Sequence, residues 1–272
     1  MQTVYLDTAL WCDLAEQSVD RAPFERAVTA GTIVPVLSFI HLLDAARQSE
    51  RTWRCLSSYV DHVRRLGRTL WARLPNEIQE SETQAAYLRF VGVRPEAWSA
   101  FADTLIDTLP GDTEPGLVDE MRRDSTEYQV GLLLASSPVR DAYLTFRQVE
   151  FPQVRRGALR TFPELVFSMI PPRPKVAGDG VPVTDELRRQ FAERVQPRDL
   201  PATGLVWAYN QGWLRQVAGR SESDLEDRHH LAGLAYCDVG FADKRTVAAL
   251  ERGRAWRVPE RNAALGLWLR TL

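Results

Sequence analysis

Cysteine is scarce in this chain. Only Cys12, Cys55 and Cys237 occur among 272 residues, odd in number and far apart. Neither a disulfide framework nor a CxxC metal site can be built from them. Lysine is scarcer still. Lys175 and Lys244 are the only two, so arginine supplies all but two of the 34 positive charges. A GC-rich coding sequence accounts for that bias, and arginine's planar fork also suits phosphate. An excess of either charge is missing too: 34 bases face 36 acids, a net of -2. That balance excludes a uniformly cationic coat for nucleic acid, though not a local basic patch. With 44% hydrophobic residues, disorder is excluded as the main state. The opening MQTVYLD has no basic segment followed by an apolar core, so no signal peptide is expected. The longest nearly apolar run, residues 33–43, is broken by Ser38 and His41 and is too short to cross a bilayer. The expectation is a cytoplasmic, soluble chain with no membrane partner, long enough to bury a core without staples.

What is present is clearest at the two ends. Thr3-Val-Tyr-Leu-Asp-Thr8 is a short β-rich run closed by an acid, the pattern of a buried first strand. Residues 9–18 read as a helix with Leu10, Trp11 and Leu14 on one stripe. Gly31-Thr32 marks a turn, Ile33-Val-Pro-Val-Leu37 a second strand, and Ser38 an N-cap for a helix over 39–51. Two strands that each feed a helix predict a parallel α/β sheet. The alternation returns late, with a helix over 223–237, a strand over 238–243, a helix over 244–252 and a closing strand over 255–258. Between the ends lie few strand candidates and many helical stretches, over 56–74, 97–109, 117–134 and 185–195. Proline and glycine pairs punctuate them, and 176–183 reads as an exposed loop. The expected organisation is a discontinuous α/β core, 1–52 with 220–272, split by a helical insertion over 53–219.

Near-neutrality is a cancellation. Residues 51–73 carry a net +5, residues 74–127 a net -8, and residues 146–175 a net +4. Such blocks are ordinary solvated helix faces, or else basic flanks of a groove for a polyanion.

Acids recur where a parallel sheet would gather them. Asp7 closes the first strand, Asp44 sits on the helix after the second, Asp224 and Asp227 open the late helix, and Asp243 closes the late strand. Ligands of open parallel sheets bind in the crevice outside the strand carboxyl ends. Several carboxylates converging there repel one another unless a divalent cation sits among them. Oxygen ligands without a suitable Cys or His set point to Mg²⁺ or Mn²⁺. Such an ion orients and deprotonates water and neutralises charge on a phosphodiester.

These residues carry a resemblance. Val4-Tyr-Leu-Asp-Thr8, followed by Val34-Pro-Val-Leu-Ser38 with Asp44 six residues on, resembles the opening of a PIN-like nuclease domain. The stretch 223–245 is similar to that family's third-acid helix and the strand that ends in its fourth acid. The resemblance covers about fifty residues at each end. It implies an α/β fold with a PIN-like parallel sheet flanked by helices, and it places the first acid on Asp7. The second falls on Asp44, the third on Asp227 with Asp224 competing, and the fourth on Asp243 with Asp238 as an auxiliary. It further implies a metal-dependent phosphodiesterase, most often an endoribonuclease acting on single-stranded or structured RNA. Many bacterial members are toxins with an antitoxin partner. Two departures stand out: Asp44 is one methylene shorter than the usual glutamate, and Ala242 stands where the family often has Thr or Ser.

Each residue also has a plainer reading. Asp7 and Asp243 could cap the helices that follow them, Asp224 fits an N-cap, and Asp44 is equally well a solvated helix acid. His229 and His230 lie about 100° apart on a helix, so one packs locally while the other is free to shuttle a proton. The tail supplies Lys244, Arg245, Arg252, Arg254 and Arg257, with Trp256 and Trp268 interleaved, which suits a single nucleic-acid strand or simply a tryptophan-containing core. Three functions stay open: an endoribonuclease, a DNA-directed nuclease, and a non-catalytic RNA- or protein-binding module.

Overall fold

Short apolar runs from both ends of the chain pair into one sheet. The computed structural model describes residues 1–109, 113, 115–122, 125–135, 161–170, 183–216 and 227–272. In chain order β1 (Gln2–Tyr5) leads to α1 (Thr8–Ala15) and α2 (Ala22–Thr29), then β2 (Ile33–Ser38), α3 (Phe39–Gln48) and α4 (Glu50–Leu66). Next come β3 (Leu70–Ala72), α5 (Pro75–Phe90), β4 (Phe101–Ala102), α6 (Pro115–Met121), α7 (Thr126–Ala135), α8 (Phe162–Met169) and α9 (Asp185–Arg194). The chain closes with α10 (Pro201–Leu214), α11 (Arg228–Leu234), β5 (Val239–Ala242), α12 (Lys244–Arg252), β6 (Glu260–Arg261) and α13 (Leu265–Leu269). The sheet order is β4-β3-β2-β1-β5-β6, parallel except for β4 at one edge.

Alternation along the strands gives the sheet two buried faces. Val4 of the first strand and Leu6 just beyond it join Trp11, Leu14, Phe24, Leu42 and Leu56 in the core on one face. Tyr5, Val34 and Val36 join Leu205, Leu231 and Leu250 on the other. So α1–α4 cover one face, and α5, α10, α11 and α12 the other, an α/β architecture of three layers. A third, smaller core holds Tyr87, Phe162, Val166 and Phe191, where α5, α8 and α9 meet. The start of α10 is pinned to α5 by Glu82, which is 3% exposed. Its carboxylate accepts hydrogen bonds from Ala202 N (3.0 Å), Thr203 N (2.6 Å) and Tyr236 Oη (2.6 Å).

Several sequence expectations need correction. The boundary at residue 53 does not separate sheet from insertion. Strands β3 and β4 lie inside 53–219 and extend the sheet, and Trp53, Leu56, Tyr59 and Val63 of α4 pack in the same core as β1. The expected helix over 56–74 stops at Gly67, where a Cβ would stand 2.7 Å from Val28 O; the buried Leu70-Trp71-Ala72 that follows is β3. The helix expected over 97–109 is instead β4 and a short turn of 3₁₀ helix, because pairing with β3 outweighs local propensity. The helix over 39–51 is two helices meeting at extended Ser49, whose hydroxyl caps α4 through Thr52 N at 3.0 Å. The closing strand is Glu260–Arg261 rather than 255–258. The loop over 176–182 and the helix start at 223–226 lie outside the described residues. Among the described residues, no helix is long and apolar enough to cross a membrane.

Candidate functional site

At the carboxyl ends of β1 and β5 the connections diverge. The first strand feeds α1 on one face, and β5 feeds α12 on the other. Neighbouring parallel strands whose helices go opposite ways leave a crevice between them. A cleft of about 330 Å³ opens there, lined among others by Asp7, Thr8, Asp44, Arg47, Asp227 and His230.

Each acid arrives on a different element. Asp7 is the N-cap of α1, its Oδ1 accepting from Ala9 N at 2.8 Å. Its Oδ2 accepts from Asn262 Nδ2 at 3.2 Å, which the parallel strand β6 carries back to this end of the sheet. Asp243 is the N-cap of α12, its Oδ1 accepting from Thr246 N at 2.6 Å. Both acids therefore cap helices, as the plainer reading held, but capping uses only one oxygen of each. Asp227 precedes α11. That helix lies hard against the sheet because Gly233 has no Cβ; one there would stand 2.8 Å from Ala72 Cβ. Asp44 comes from α3, half-buried.

Asp44 and His230 form the head of a buried polar chain. His230 Nε2 lies 2.8 Å from Asp44 Oδ2, and Thr8 Oγ1 donates to the same oxygen at 3.2 Å. Arg47 Nη1 is 3.6 Å from Asp44 Oδ1. On the other side, His230 Nδ1 meets Tyr5 Oη at 2.8 Å, which meets Ser38 Oγ at 3.1 Å. Ser38 Oγ lies 3.1 Å from His41 Nδ1, which also accepts from Ser38 N at 2.9 Å. His41 Nε2 donates to Leu6 O at 2.8 Å, since a carbonyl can only accept. That bond fixes the His41 tautomer, and burial, helped by the charge of His230, pushes its imidazole down to about 3, so it is neutral.

Charge separates the acids into two kinds. Burial alone would raise the Asp44 carboxyl, but the hydrogen bond and charge of His230, with Arg47, hold it below the usual value. His230 is correspondingly raised: burial disfavours its charge, and Asp44, Asp7 and Asp227 outweigh that. For Asp227 the balance is reversed. Burial first, then the charges of Asp243, Asp7 and Asp44, push its carboxyl up to about 8, with His230 only partly opposing. His229, pushed down to about 3 by burial and by Arg228 and His230, stays neutral.

Other expected residues fall elsewhere. Asp238 precedes β5 at the opposite end of the sheet, its Oδ2 bound to Thr3 N (2.8 Å) and Thr3 Oγ1 (2.9 Å), so it is no auxiliary to the cleft. Asp224 lies outside the described residues. The basic tail divides. Lys244 and Arg245 are exposed on the first turn of α12, beside the cleft. Arg252, Arg254 and Arg257 lie toward the far end; Arg252 donates to Gly212 O and Gln216 Oε1, and Arg257 to Asp238 O. Trp268 packs on Phe241 rather than offering a free stacking face.

The donor set suits a hard divalent cation: carboxylate oxygens, with the His230 imidazole in the cleft already bonded at both nitrogens. The crowding that keeps Asp227 protonated is the condition such an ion relieves. Among the described residues, however, no group of three or more His, Cys, Asp or Glu side chains is arranged to hold a metal ion. Binding therefore requires the carboxylates to turn toward one another. Sequence reasoning missed Tyr5, Thr8, Arg47 and Thr246 as cleft residues, and Asn262 as the partner of Asp7. Thr8 and Thr246 could have been found as neighbours of the capping acids, whereas nothing local marks Asn262. No family model, curated protein or solved structure matches this chain.

Proposed function

We propose that this protein is a metal-dependent phosphodiesterase with a PIN-like fold, acting as an endoribonuclease. The observation that carries the reading is Asp227. A carboxyl raised to about 8 mainly by burial and neighbouring acids, in the crevice at the switch point of a parallel sheet, is a group poised for a cation. Asp7, Asp227 and Asp243 would hold Mg²⁺ or Mn²⁺, which when bound supplies Lewis acidity and neutralises phosphate charge. The chain's own groups do the rest. Lys244 and Arg245 stand at the rim, where they attract a polyanion. Thr8 and His230 hold the Asp44 carboxylate in one orientation. Asn262 and the N-terminus of α1 hold that of Asp7.

The test is cleavage of labelled RNA and DNA panels with Mg²⁺ or Mn²⁺, comparing the unaltered protein with Asp7→Asn and Asp243→Asn. RNA cleavage that needs the cation, and falls by about 100-fold or more in both variants, is expected. Equal activity in the variants sinks the assignment. The competing reading, a non-catalytic RNA- or protein-binding module, draws on the engagement of Asp44 by His230 and on the lack of a ready-made cage among the described residues. RNA retention without cleavage in the same panels would favour it.

A further inference from the structure

The cleft is acidic within and basic at its edges, and the basic groups come from both faces of the sheet. On the side of α1–α4, Arg47 lines the cleft together with Gln48. Extended Ser49 then turns the chain into α4, so the Arg51 Cα stands within about 11 Å of that of Gln48. Arg51 is exposed. The acid beside it, Glu50, is taken by Arg54 at 2.8 Å. On the side of α12, Lys244 and Arg245 are exposed on a turn whose Thr246 lines the same cleft. Among the described residues neither Arg51 nor Lys244 is held in an ion pair. Four cations therefore stand as two pairs, one pair on each rim.

Resting on the phosphodiesterase reading only for the choice of a nucleic acid, we infer that a single strand crosses the edge of the sheet from rim to rim. Its phosphates are met by Arg47 and Arg51 on one side and by Lys244 and Arg245 on the other. Arg47 Nη1 stands 3.6 Å from Asp44 Oδ1, and a guanidinium with five N–H donors can serve a carboxylate and a phosphate together. Two pairs of cations match one row of phosphates. A duplex lays down two rows, and a chain of net charge -2 carries no uniform cationic coat for the second. The acids between the rims oppose phosphate, so capture depends on the rims and not on the floor. Asp44 adds least to that opposition, because His230 and Arg47 already face its charge. Position, rather than total charge, sets the path. Arg65 lies on the same face of α4 as Arg51, about 21 Å further along its axis, and Arg254 follows the far end of α12. Both are exposed, and both lie off the strand.

The test is fluorescence anisotropy of a labelled single-stranded RNA of about twelve nucleotides, titrated at several salt concentrations. A chelator keeps divalent cations and cleavage out of the measurement, and thermal melts verify folding. Each phosphate contact steepens the fall of log affinity with log salt by about 0.7 for a single strand. Arg51→Gln and Lys244→Gln should each reduce that slope by about 0.7, and together by about 1.4. Arg65→Gln and Arg254→Gln should leave it unchanged. Arg47→Gln should act as Arg51→Gln does; if it does not fold, the exposed rim residues decide. Equal losses in the two distant variants, tighter binding of duplex RNA, equal binding of a polyglutamate peptide, or no binding by the unaltered protein overturns this inference. Cation-dependent RNA cleavage with an unchanged slope in the rim variants also overturns it and leaves the phosphodiesterase reading standing. The expected slopes, with no cleavage once Mg²⁺ or Mn²⁺ is added, do the opposite.

Discussion

The junction of α5 with α10 and the cleft at the end of β1 each bury a carboxylate, and the two acids are solved in opposite ways. Burial raises both carboxyls. Around Glu82 the neighbours are donors, two backbone N–H groups and a phenol, all within 3.0 Å. Around Asp227 the charged neighbours are mostly acids, Asp243, Asp7 and Asp44, with His230 only partly opposing them. A buried acid ringed by donors is an internal cap, complete without a ligand. A buried acid ringed by acids is an incomplete site, and its free energy is recovered only when something positive arrives. Shared burial therefore says little; the sign of the surroundings separates structure from function.

The largest effect that sharpens this contrast is expected at Glu82. Glu82→Ala strands Ala202 N, Thr203 N and Tyr236 Oη, and should lower stability by about 3 kcal/mol or more. At this chain length that is a fall in Tm of roughly 6–12 °C, readable by calorimetry. Next is Asp227→Asn, which should leave Tm at neutral pH unchanged or raised, because it removes the cost of protonating a carboxyl that burial and its acidic neighbours keep neutral. It should lower cation-dependent RNA cleavage by about 100-fold or more. If instead Asp227→Asn destabilises as Glu82→Ala does, the two acids are of one kind and the contrast breaks.

A smaller effect reads the same contrast through pH. Asp227 rises from an ordinary value of 3.8 to about 8 on folding. The folded chain therefore binds that proton more tightly than the unfolded one. Its contribution to stability is complete below about pH 4 and is lost as the pH rises through about 8. In a chelator, Tm should fall across that window, and Asp227→Asn should flatten the fall. Added Mg²⁺ should reverse it at the alkaline end, where the carboxylate is free to bind. A Tm that climbs with pH in the chelator would mean that donors, not acids, surround Asp227.

Much of this was legible in the sequence, and what was not has physical causes. Strands β1, β2 and β5 announced themselves because each is a short, largely apolar run leading to a polar residue that starts or caps the next helix, and α12 was readable to the residue because Asp243 caps it. The convergence of Asp7, Asp44 and Asp227 followed from a general rule about parallel sheets. The third strand was hidden because three residues carry no periodicity, and its assignment depends on partners over thirty positions away. The same non-locality hid the chain from His230 to Leu6, whose members are scattered from residue 5 to residue 230. Asp238 misled for the converse reason. It is near Asp243 in sequence, but a four-residue strand carries the two to opposite ends of the sheet.

The smallest expected effect is at Asn262, and it tests whether Asp7 belongs with Asp227 or with Glu82. Asp7 shares features of both: one oxygen caps a helix, as Glu82 does, and the other faces the cleft. Asn262 Nδ2 donates to that second oxygen at 3.2 Å, a long bond, and Asn262 Oδ1 has no partner among the described residues. Asn262→Ala thus removes one weak donor and one unsatisfied acceptor together, and stability should move by about 1 kcal/mol or less. Cleavage should fall by about tenfold, the lower end for loss of a group that orients a metal ligand, because Oδ2 would no longer be steered. Asn262→Asp, which sets a negative charge against Asp7, should raise the cation concentration needed for half-maximal cleavage. A large fall in Tm with unchanged cation dependence would instead make Asp7 a cap alone, and would move it to the side of Glu82.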